Sequence, residues 1–492
     1  FTDKLPEGVK VNTTSELVKR EYPGVDLGII GFISFGFNVN RHTATITGLK
    51  PGTKYCYRVG DAKRGWWSGT GIIETADNSD SFTFFHVSDE QSQNAIQYGT
   101  WGKVVDTALK LFPEGKFFAS AGDQVDYTKH FKQWQWFFNA SENIKSTAIM
   151  PAAGNHEKSG YMLDQNFVLP KTVDQDRESG VFYSYDYNNA HFIVLNTNNL
   201  SDSKALSDDQ LAWLKADAAA SNAQWKIVVL HKALYSNGSH YDDKDVKAMR
   251  KQLCGLLPDL GIDVVLQGHD HVYLRTDIMD NNKIVKAEEQ KISFGGRDYT
   301  VKLNPEGTVY VISACAGVKS YQTKDVKDTD KLFPRAEAIY DADNAVFSAI
   351  TVDGSKLYFD AYMLDDEADG GAKRIDSFAL SKSEKDVPEN PEKPEKPGLP
   401  DLPELPEIPG LPHWPGKPEK PEEPSDPSNP SEPLDPSDPA SPIVPSTKPE
   451  TNKPGSDSKV PDTGAAAPVM LITFAGAAFV IGCTAKRKKE DR

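Results

Sequence analysis

The chain has 492 residues and a formal net charge of −16, a length that allows about three domains at roughly 150 residues each. Residues 1–382 carry aromatic and apolar runs typical of a globular protein, whereas residues 383–459 are dominated by Pro, Glu, Asp, Ser and Lys. The acidic balance, with a sequence pI near 5.2, excludes a general nucleic-acid-binding surface, because no basic face is available to replace phosphate counterions.

Residues 41–76 alternate in the manner of β-strands. His42–Leu49 leads into a Pro-Gly turn at residues 50–53, and Tyr55–Val59 follows. This order resembles the last strands of a fibronectin-III-like sandwich, and the same order precedes the catalytic domain in purple acid phosphatases. A complete sandwich needs about seven strands over ~100 residues, and the first 40 residues are poor strand candidates. We therefore expect residues 1–78 to be a truncated fibronectin-III-like domain that lacks its first portion and the signal peptide.

Five polar clusters each follow an apolar run in the next part of the chain. They are Ser-Asp-Glu-Gln (88–91), Gly-Asp-Gln-Val-Asp (122–126), Gly-Asn-His-Glu (154–157), His231 and Gly-His-Asp-His (268–271). The apolar runs are residues 82–87, 117–121, 148–153, 227–230 and 264–266. Polar residues just past the carboxyl ends of strands in an open α/β sheet meet in one crevice. Carboxylate, amide and imidazole groups without a thiolate suit Mn, Fe, Zn or Mg.

Residues 82–365 resemble the calcineurin-like metallophosphoesterases, and the preceding β region narrows the resemblance to the purple-acid-phosphatase-like branch. The resemblance implies an α/β fold, a four-layer αββα sandwich over residues 82–382, with two metal ions at the strand ends. It implies that metal 1 is bound by Asp89 and His271, metal 2 by Asn155, His231 and His269, and both by the bridging Asp123. A hydroxide between the two ions would then attack a phosphate ester.

Two histidines are candidate catalytic residues. By the same resemblance, His156 assists the departing alkoxide. His240 lies nine residues after His231 in a run similar to one in purple acid phosphatases, and it is the second candidate. The alternative for His240 is a solvated loop histidine in an Asn-Gly-Ser turn.

Two positions depart from the family pattern at metal 1. Purple acid phosphatases carry a tyrosine ligand to ferric iron three residues after the bridging aspartate, where this chain has Asp126. Other metallophosphoesterases carry a histidine where this chain has Gln91. Gln91, through its amide oxygen, and Asp126, through water, are the two candidate extra ligands. Without a phenolate, Mn, Mg or ferrous iron is favoured over ferric iron.

The four cysteines are Cys56, Cys254, Cys315 and Cys483, and no CxxC pair exists. A structural zinc site built from thiolates is therefore not expected. We expect free buried cysteines, and a Cys254–Cys315 bridge remains the alternative.

The C-terminal part resembles a cell-wall anchor. Residues 383–459 are expected to be a disordered, extended, wall-spanning linker. Residues 460–492 contain Val-Pro-Asp-Thr-Gly (460–464), an apolar span (465–485) and a basic tail, the order of Gram-positive sorting signals. The resemblance implies that a sortase cuts between Thr463 and Gly464 and joins the protein to peptidoglycan, outside the cell. Membrane contact would then occur only through the span before cleavage. A plain transmembrane anchor is the alternative.

The sequence therefore predicts a surface enzyme that hydrolyses phosphate monoesters of small molecules. A phosphodiesterase or nucleotide hydrolase on the same scaffold is the nearest alternative. A binding protein or adhesin with a weakened metal 1 is the alternative from a different class.

Overall fold

The computed structural model describes residues 8–22, 35–61, 63–158, 161–170, 181–321 and 336–382. The predicted Pro-rich linker and the predicted sorting signal lie outside these residues. Within the described ranges, no helix is both long and apolar enough to cross a membrane. Cys56, Cys254 and Cys315 are free thiols, as expected.

The N-terminal strands form three two-stranded ladders, β1–β2, β3–β6 and β4–β5. The strands are β1 Lys10–Tyr22, β2 Phe35–Thr47, β3 Lys54–Tyr57, β4 Gly60–Asp61, β5 Trp66–Trp67 and β6 Gly71–Glu74. The 13-residue β1 corrects our expectation that the first 40 residues are poor strand candidates. Residues 12–17 are all exposed. Because neither face of this stretch is buried, its sequence lacks the alternation of apolar and polar residues by which a strand is recognised. The fibronectin-III-like character of this region stays a prediction.

Arginines join the β1–β2 ribbon to the segment that follows the Gly-Asn-His-Glu cluster. The buried Arg20 guanidinium donates to Gln165 Oε1 at 2.7 Å and to Asn166 Oδ1 at 3.1 Å. Arg41 donates to the carbonyl oxygen of Phe167 at 3.0 Å. The ribbon therefore packs against the α/β part of the protein.

The α/β part contains strands β7 to β23 and helices α1 to α6. The strands are β7 Ser81–Val87, β8 Phe117–Ser120, β9 Ala148–Pro151, β10 Tyr183–Tyr187, β11 Ala190–Val194, β12 Trp225–Lys232, β13 Val264–Gly268, β14 Tyr273–Thr276, β15 Met279–Asp280, β16 Lys283–Ile284, β17 Glu288–Phe294, β18 Arg297–Leu303, β19 Val309–Ser313, β20 Ala336–Tyr340, β21 Val346–Asp353, β22 Lys356–Leu364 and β23 Ala372–Ser381. The helices are α1 Ala95–Leu111, α2 Phe131–Phe138, α3 Tyr161–Asn166, α4 Asp208–Ala220, α5 Lys244–Leu253 and α6 Leu256–Asp259, with short 3-10 helices at Glu142–Ser146, Ser239–Asp242 and Asp369–Gly371.

Two sheets contain all of these strands except β15 and β16, which pair with each other. One has eight strands in the order β17-β18-β23-β22-β21-β7-β8-β9, and the other has seven in the order β10-β11-β12-β13-β19-β14-β20. Strands β7, β8 and β9 run parallel in the first sheet, and β11, β12, β13 and β19 run parallel in the second. The five strands expected before the polar clusters are therefore confirmed as β7, β8, β9, β12 and β13.

The sheets pack face to face, and each carries helices on its outer face. Adjacent residues of β7 point to opposite sides: the Phe84 ring meets Phe192 of the seven-stranded sheet at 5.0 Å, and Phe85 stacks on Phe118 at 4.7 Å. Trp101 of α1 meets Phe118 at 5.5 Å. Helices α4 and α5 cover the seven-stranded sheet with buried apolar side chains. Because β7 is buried on both faces, its sequence is a continuous apolar run. The expected four-layer αββα order is present.

A buried ion pair joins the two sheets. The Arg275 guanidinium in β14 donates to both carboxylate oxygens of Asp376 in β23, at 2.7 Å and 3.1 Å. The Tyr273 hydroxyl donates to the same carboxylate at 2.8 Å. All three side chains are largely or fully buried, so water cannot replace either partner of the ion pair.

We predict that Arg275→Ala lowers the free energy of unfolding by about 3–5 kcal/mol, because it leaves the Asp376 carboxylate buried without its cation. Denaturant unfolding followed by tryptophan fluorescence measures the change. Arg64→Ala, which removes an exposed ion pair with Asp61, is the control and should change stability by less than about 1 kcal/mol. Equal effects of the two variants would contradict the prediction.

Candidate metal centre

The predicted metal ligands lie where strands of the two sheets end. Asp89, Asp123 and Asn155 follow β7, β8 and β9 of the eight-stranded sheet, whereas His231 lies in β12 and His269 and His271 follow β13 of the seven-stranded sheet. Parallel strands end at the same edge of a sheet, and the two edges meet here. The structure brings all six side chains together.

Left-handed backbone turns aim these ligands at the shared edge. Asp89 has φ 56°, Asp123 has φ 57° and His269 has φ 73°, values that residues other than glycine rarely adopt. Backbone hydrogen bonds hold the turns: Asp89 N–H donates to Gly122 O at 2.9 Å, and Gln91 N–H donates to Asp123 O at 3.0 Å. Such strained residues concentrate at functional sites, where the surrounding structure fixes them.

The glycines of the clusters allow the ligand loops to pack closely. A Cβ atom on Gly154 would lie 2.0 Å from Asp123 Oδ1, and one on Gly268 would lie 1.9 Å from Ser88 Oγ. Any larger residue would push a ligand loop out of place. The Gly-Asn-His and Gly-His-Asp-His sequences therefore need glycine for space.

The metal 2 ligands form a compact group. His231 Nε2 lies 3.3 Å from Asp123 Oδ2 and 2.9 Å from Asn155 Oδ1. The ligand atoms of Asp123, His231 and His269 all lie within 4.8 Å of one another. His231 Nδ1 lies 2.9 Å from Ala121 O, a contact in which Nδ1 is the donor and Nε2 is left facing the other ligands.

The metal 1 ligands are fewer. His271 Nε2 lies 3.2 Å from Asp89 Oδ1, and His271 Nδ1 lies 2.8 Å from the Lys319 carbonyl oxygen. The Ser88 hydroxyl and the His269 N–H donate to Asp89 Oδ2 at 2.6 Å and 3.0 Å, whereas buried Asp89 Oδ1 accepts no hydrogen bond. A buried carboxylate oxygen that faces an imidazole nitrogen fits a cation there, so the residues suit a metal ion.

The charges of the site act on one another. Burial alone would raise the pKa of Asp89, but the positive charge of His271 and the hydrogen bonds outweigh it and hold that pKa well below its ordinary value. Burial lowers the pKa of His231, but the Asp123 carboxylate outweighs it and raises that pKa to about 9. Burial and then His231 hold the pKa of His269 well below its ordinary value. A metal ion at position 2 would therefore have to displace a proton from His231. It would displace none from His269, which is already neutral.

The two candidate catalytic histidines border the ligands. The His156 N–H donates to Asp123 Oδ1 at 2.9 Å, and its ring Nδ1 lies 2.5 Å from the Asp126 carbonyl oxygen. The partly exposed His240 ring lies 4.1 Å from that of His269, and its Nδ1 lies 2.8 Å from Asp243 Oδ2. Both rings are thus fixed through Nδ1, beside residues predicted to bind metal.

Gln91 and Asp126 meet a residue that the sequence analysis missed. The Lys319 ammonium donates to Asp126 Oδ1 at 2.5 Å. With its amide assigned to satisfy its neighbours, Gln91 donates to Asp123 Oδ2 at 3.0 Å and accepts from Lys319 at 3.3 Å. Lys319 follows β19, far from both partners in sequence, and no motif around it signals this role.

Glu157 is the second residue whose role was missed, although it ends the Gly-Asn-His-Glu cluster. Its buried carboxylate accepts the backbone N–H groups of Asp123 at 2.8 Å, Gly154 at 2.9 Å and Val125 at 3.3 Å. Burial, then the charge of Asp123, raise the pKa of Glu157 to about 8, against the lowering effect of hydrogen bonds from the Gly154 and Val125 N–H groups. Glu157 thus holds together the two loops that carry Asp123 and Asn155.

Known proteins share these features. Residues 82–273 match the family model of calcineurin-like phosphoesterases, and residues 8–75 match that of the purple acid phosphatase N-terminal domain. Purple acid phosphatase 15 of Arabidopsis thaliana is 25% identical over 317 residues, 56% of this chain and 53% of the relative. Purple acid phosphatase 21 of the same plant is 27% identical over 275 residues, 52% of this chain and 57% of the relative. The chain thus spans about half the length of these curated relatives.

A solved structure shares the fold. Purple acid phosphatase PPD1 from yellow lupin (Lupinus luteus) seeds is 16% identical, with a TM-score of 0.59 over 77% of this chain and 73% of that one. Together with the family models and the relatives, it shows that the chain contains a calcineurin-like metallophosphoesterase domain of the purple acid phosphatase type, preceded by the N-terminal β domain of that type. These findings support a metal-dependent phosphoric ester hydrolase.

We predict that Glu157→Gln lowers the free energy of unfolding by roughly 1–3 kcal/mol, because the amide nitrogen cannot accept the backbone N–H group that the carboxyl oxygen in its place accepts. Metal content, measured by elemental analysis after dialysis, should fall with it, since the turn that aims Asp123 loses its anchor. Glu142→Gln, an equivalent change at an exposed glutamate, is the control and should be neutral in both measurements. Full metal content in Glu157→Gln would mean that Asp123 does not need this anchor.

Proposed function

We propose that this protein hydrolyses phosphate monoesters at a dinuclear metal centre held by Asp89, Asp123, Asn155, His231, His269 and His271. The observation that carries the proposal is the convergence of these six side chains from both sheets. Asp123 Oδ2 lies 3.3 Å from His231, and Asp123 Oδ1 accepts the His156 N–H. When bound, two divalent ions would activate water and neutralise charge on the phosphoryl oxygens.

The protein's own residues would position the ligands and handle the leaving group. The contact of His240 with Asp243 orients the imidazole through Nδ1, so that its Nε2 would hydrogen-bond the substrate phosphate. The contact of His156 with the Asp126 carbonyl oxygen fixes the imidazole ring beside Asp123, where its Nε2 would assist the departing alkoxide by a hydrogen bond or by proton transfer.

We predict that the full chain, supplied with Mn²⁺, Fe²⁺, Zn²⁺ or Mg²⁺, releases p-nitrophenol from p-nitrophenyl phosphate and releases it more slowly from bis-p-nitrophenyl phosphate. Asp123→Asn should lower the rate by at least about 100-fold, because the change weakens a ligand shared by both ions. Asp202→Asn, at an exposed aspartate, is the control and should be unchanged.

The outcomes separate the alternatives left open by the sequence. Faster turnover of the diester would assign a phosphodiesterase. Absence of turnover with every metal, together with one bound ion or none, would overturn the enzyme and favour a binding protein.

We also propose that the protein is displayed on a Gram-positive cell wall. The support is the order of three sequence features: Val-Pro-Asp-Thr-Gly at 460–464, the uncharged apolar span 465–485, and Lys-Arg-Lys-Lys at 486–489. An apolar span with a basic flank pauses a secreted chain in the membrane, which would bring the pentapeptide to a membrane-bound transpeptidase.

We predict that wall material from a sortase-positive Gram-positive host that expresses the chain contains a peptide ending at Thr463 joined to a peptidoglycan stem. Mass spectrometry of muramidase-released fragments detects it. Thr463→Ala should abolish the product, and Thr447→Ala, in the linker, should not. An intact C-terminus recovered from the membrane fraction, with no wall-linked form, would instead favour a transmembrane anchor.

A further inference from the structure

The metal 1 side of the centre contains a lysine that is fixed at both ends. The Lys319 carbonyl oxygen contacts His271 Nδ1 at 2.8 Å, and its ammonium donates to Asp126 Oδ1 at 2.5 Å. The two side chains of the ion pair are 30% and 23% exposed, so water screens their attraction only in part. The segment around Lys319 is also close-packed, since a Cβ atom on Gly317 would lie 2.9 Å from Asp89 O.

This lysine contacts both candidate extra ligands of metal 1. Asp126 directs one carboxylate oxygen to the ammonium. Gln91 directs its amide oxygen to the same ammonium and its amide nitrogen to Asp123 Oδ2. In this arrangement the Gln91 amide nitrogen donates to the bridging carboxylate, and the Gln91 amide oxygen accepts a hydrogen bond from Lys319. Each group that could replace the missing tyrosine or histidine therefore already has the lysine as a partner.

The two metal positions therefore differ in the number of protein ligands that surround them. Among the described residues, Asp123, His231 and His269 form a set whose ligand atoms lie within 4.8 Å of one another, and Asn155 adjoins it. Asp89 and His271 adjoin each other at 3.2 Å, and Asp123 is the bridging ligand proposed above. A position with fewer protein ligands keeps more water on its ion and binds that ion less tightly.

The charges beside metal 1 also distinguish it from a site that binds a trivalent ion. A phenolate at the position of Asp126 would add one negative charge beside metal 1 and so favour a trivalent ion. Here the carboxylate and the ammonium cancel each other. A divalent ion therefore suits metal 1.

We propose that Lys319 keeps Asp126 and Gln91 from binding metal 1, so that the centre binds one divalent ion tightly at position 2 and a second more weakly at position 1. The inference rests on the metal centre proposed above, but not on the choice of substrate. Lys319 acts through the ligands, and is thus a positioning residue that sets the metal affinity of one half of the site.

The test is a Mn²⁺ titration of the metal-free full chain, with free Mn²⁺ followed by electron paramagnetic resonance and bound metal checked by elemental analysis. Wild-type protein should show two dissociation constants that differ by at least about tenfold. Lys319→Met, which keeps the length of the side chain and removes its charge, should tighten the weaker site by about tenfold or more, because Asp126 becomes available as a ligand. The tighter site should not change.

Asp126→Asn identifies the ligand that is gained. In wild-type protein this change should lower the affinity of the weaker site by no more than about a few-fold, because Asp126 does not bind metal there and its loss only leaves the Lys319 charge unbalanced. Combined with Lys319→Met, it should abolish the gain, which makes the two effects non-additive. Lys302→Met, which breaks the Lys302–Glu289 ion pair outside the centre, is the matched control and should change neither constant.

Each result bears on a different claim. Unchanged Mn²⁺ affinity in a folded Lys319→Met protein, or a weaker site lost in Asp126→Asn alone, overturns the inference and leaves the metal centre standing. A gain that survives Asp126→Asn shows repulsion by the ammonium without capture of the ligand, and overturns the inference as stated. Wild-type protein that binds no divalent ion overturns the metal centre itself.

Discussion

The centre depends on burying two carboxylates where the edges of the two sheets meet. Asp89 and Asp123 are at most 2% exposed, and an ionised group in such a place is costly unless it is paired. Imidazole nitrogens of His271 and His231 lie within 3.3 Å of them, and hydroxyl and backbone N–H groups supply hydrogen bonds. Asp89 Oδ1 still accepts none. The left-handed turns and the closely packed glycines create this concentration of charge, and cations are needed to stabilise it.

Protons and metal ions compete for that role. Burial disfavours charge on His231, yet Asp123 raises the pKa of His231 to about 9, so at neutral pH the metal-free site carries a proton there. Burial also disfavours charge on His271, yet the Asp89 carboxylate raises the pKa of His271. Burial and the neighbouring imidazoles instead lower the pKa of His269 and keep it neutral. A metal binds only the deprotonated imidazole, so its apparent affinity weakens as the pH falls below these raised pKa values. The carboxylates that attract metal ions thus also strengthen the competing protons.

The sequence was informative where the signal is local. An apolar run followed at once by Asp, Asn or His predicts both a strand and a ligand at its end, and five such units are enough to predict the parallel strands and the six side chains at one edge. The sequence did not predict features that lack an apolar pattern or that depend on residues far apart in the chain. Strand β1 is largely exposed, so it lacks apolar alternation. The roles of Glu157 and Lys319 depend on Asp123 and Asp126, which are 34 and 193 residues away.

These two missed residues support the six predicted ligands where positions 91 and 126 depart from the pattern expected at metal 1. Glu157 fixes the backbone of Asp123, and Gln91 connects the Asp123 carboxylate to Lys319. An aspartate at position 126 without Lys319 would add an unpaired negative charge to a partly buried site and would be available to bind metal 1 beside Asp89. With Lys319 the charge is cancelled, and Gln91 can serve as a donor to the bridging ligand. The unusual residues at positions 91 and 126 therefore form a single unit with Lys319, and a change in one of them alters the surroundings of Asp123, the ligand shared by both ions.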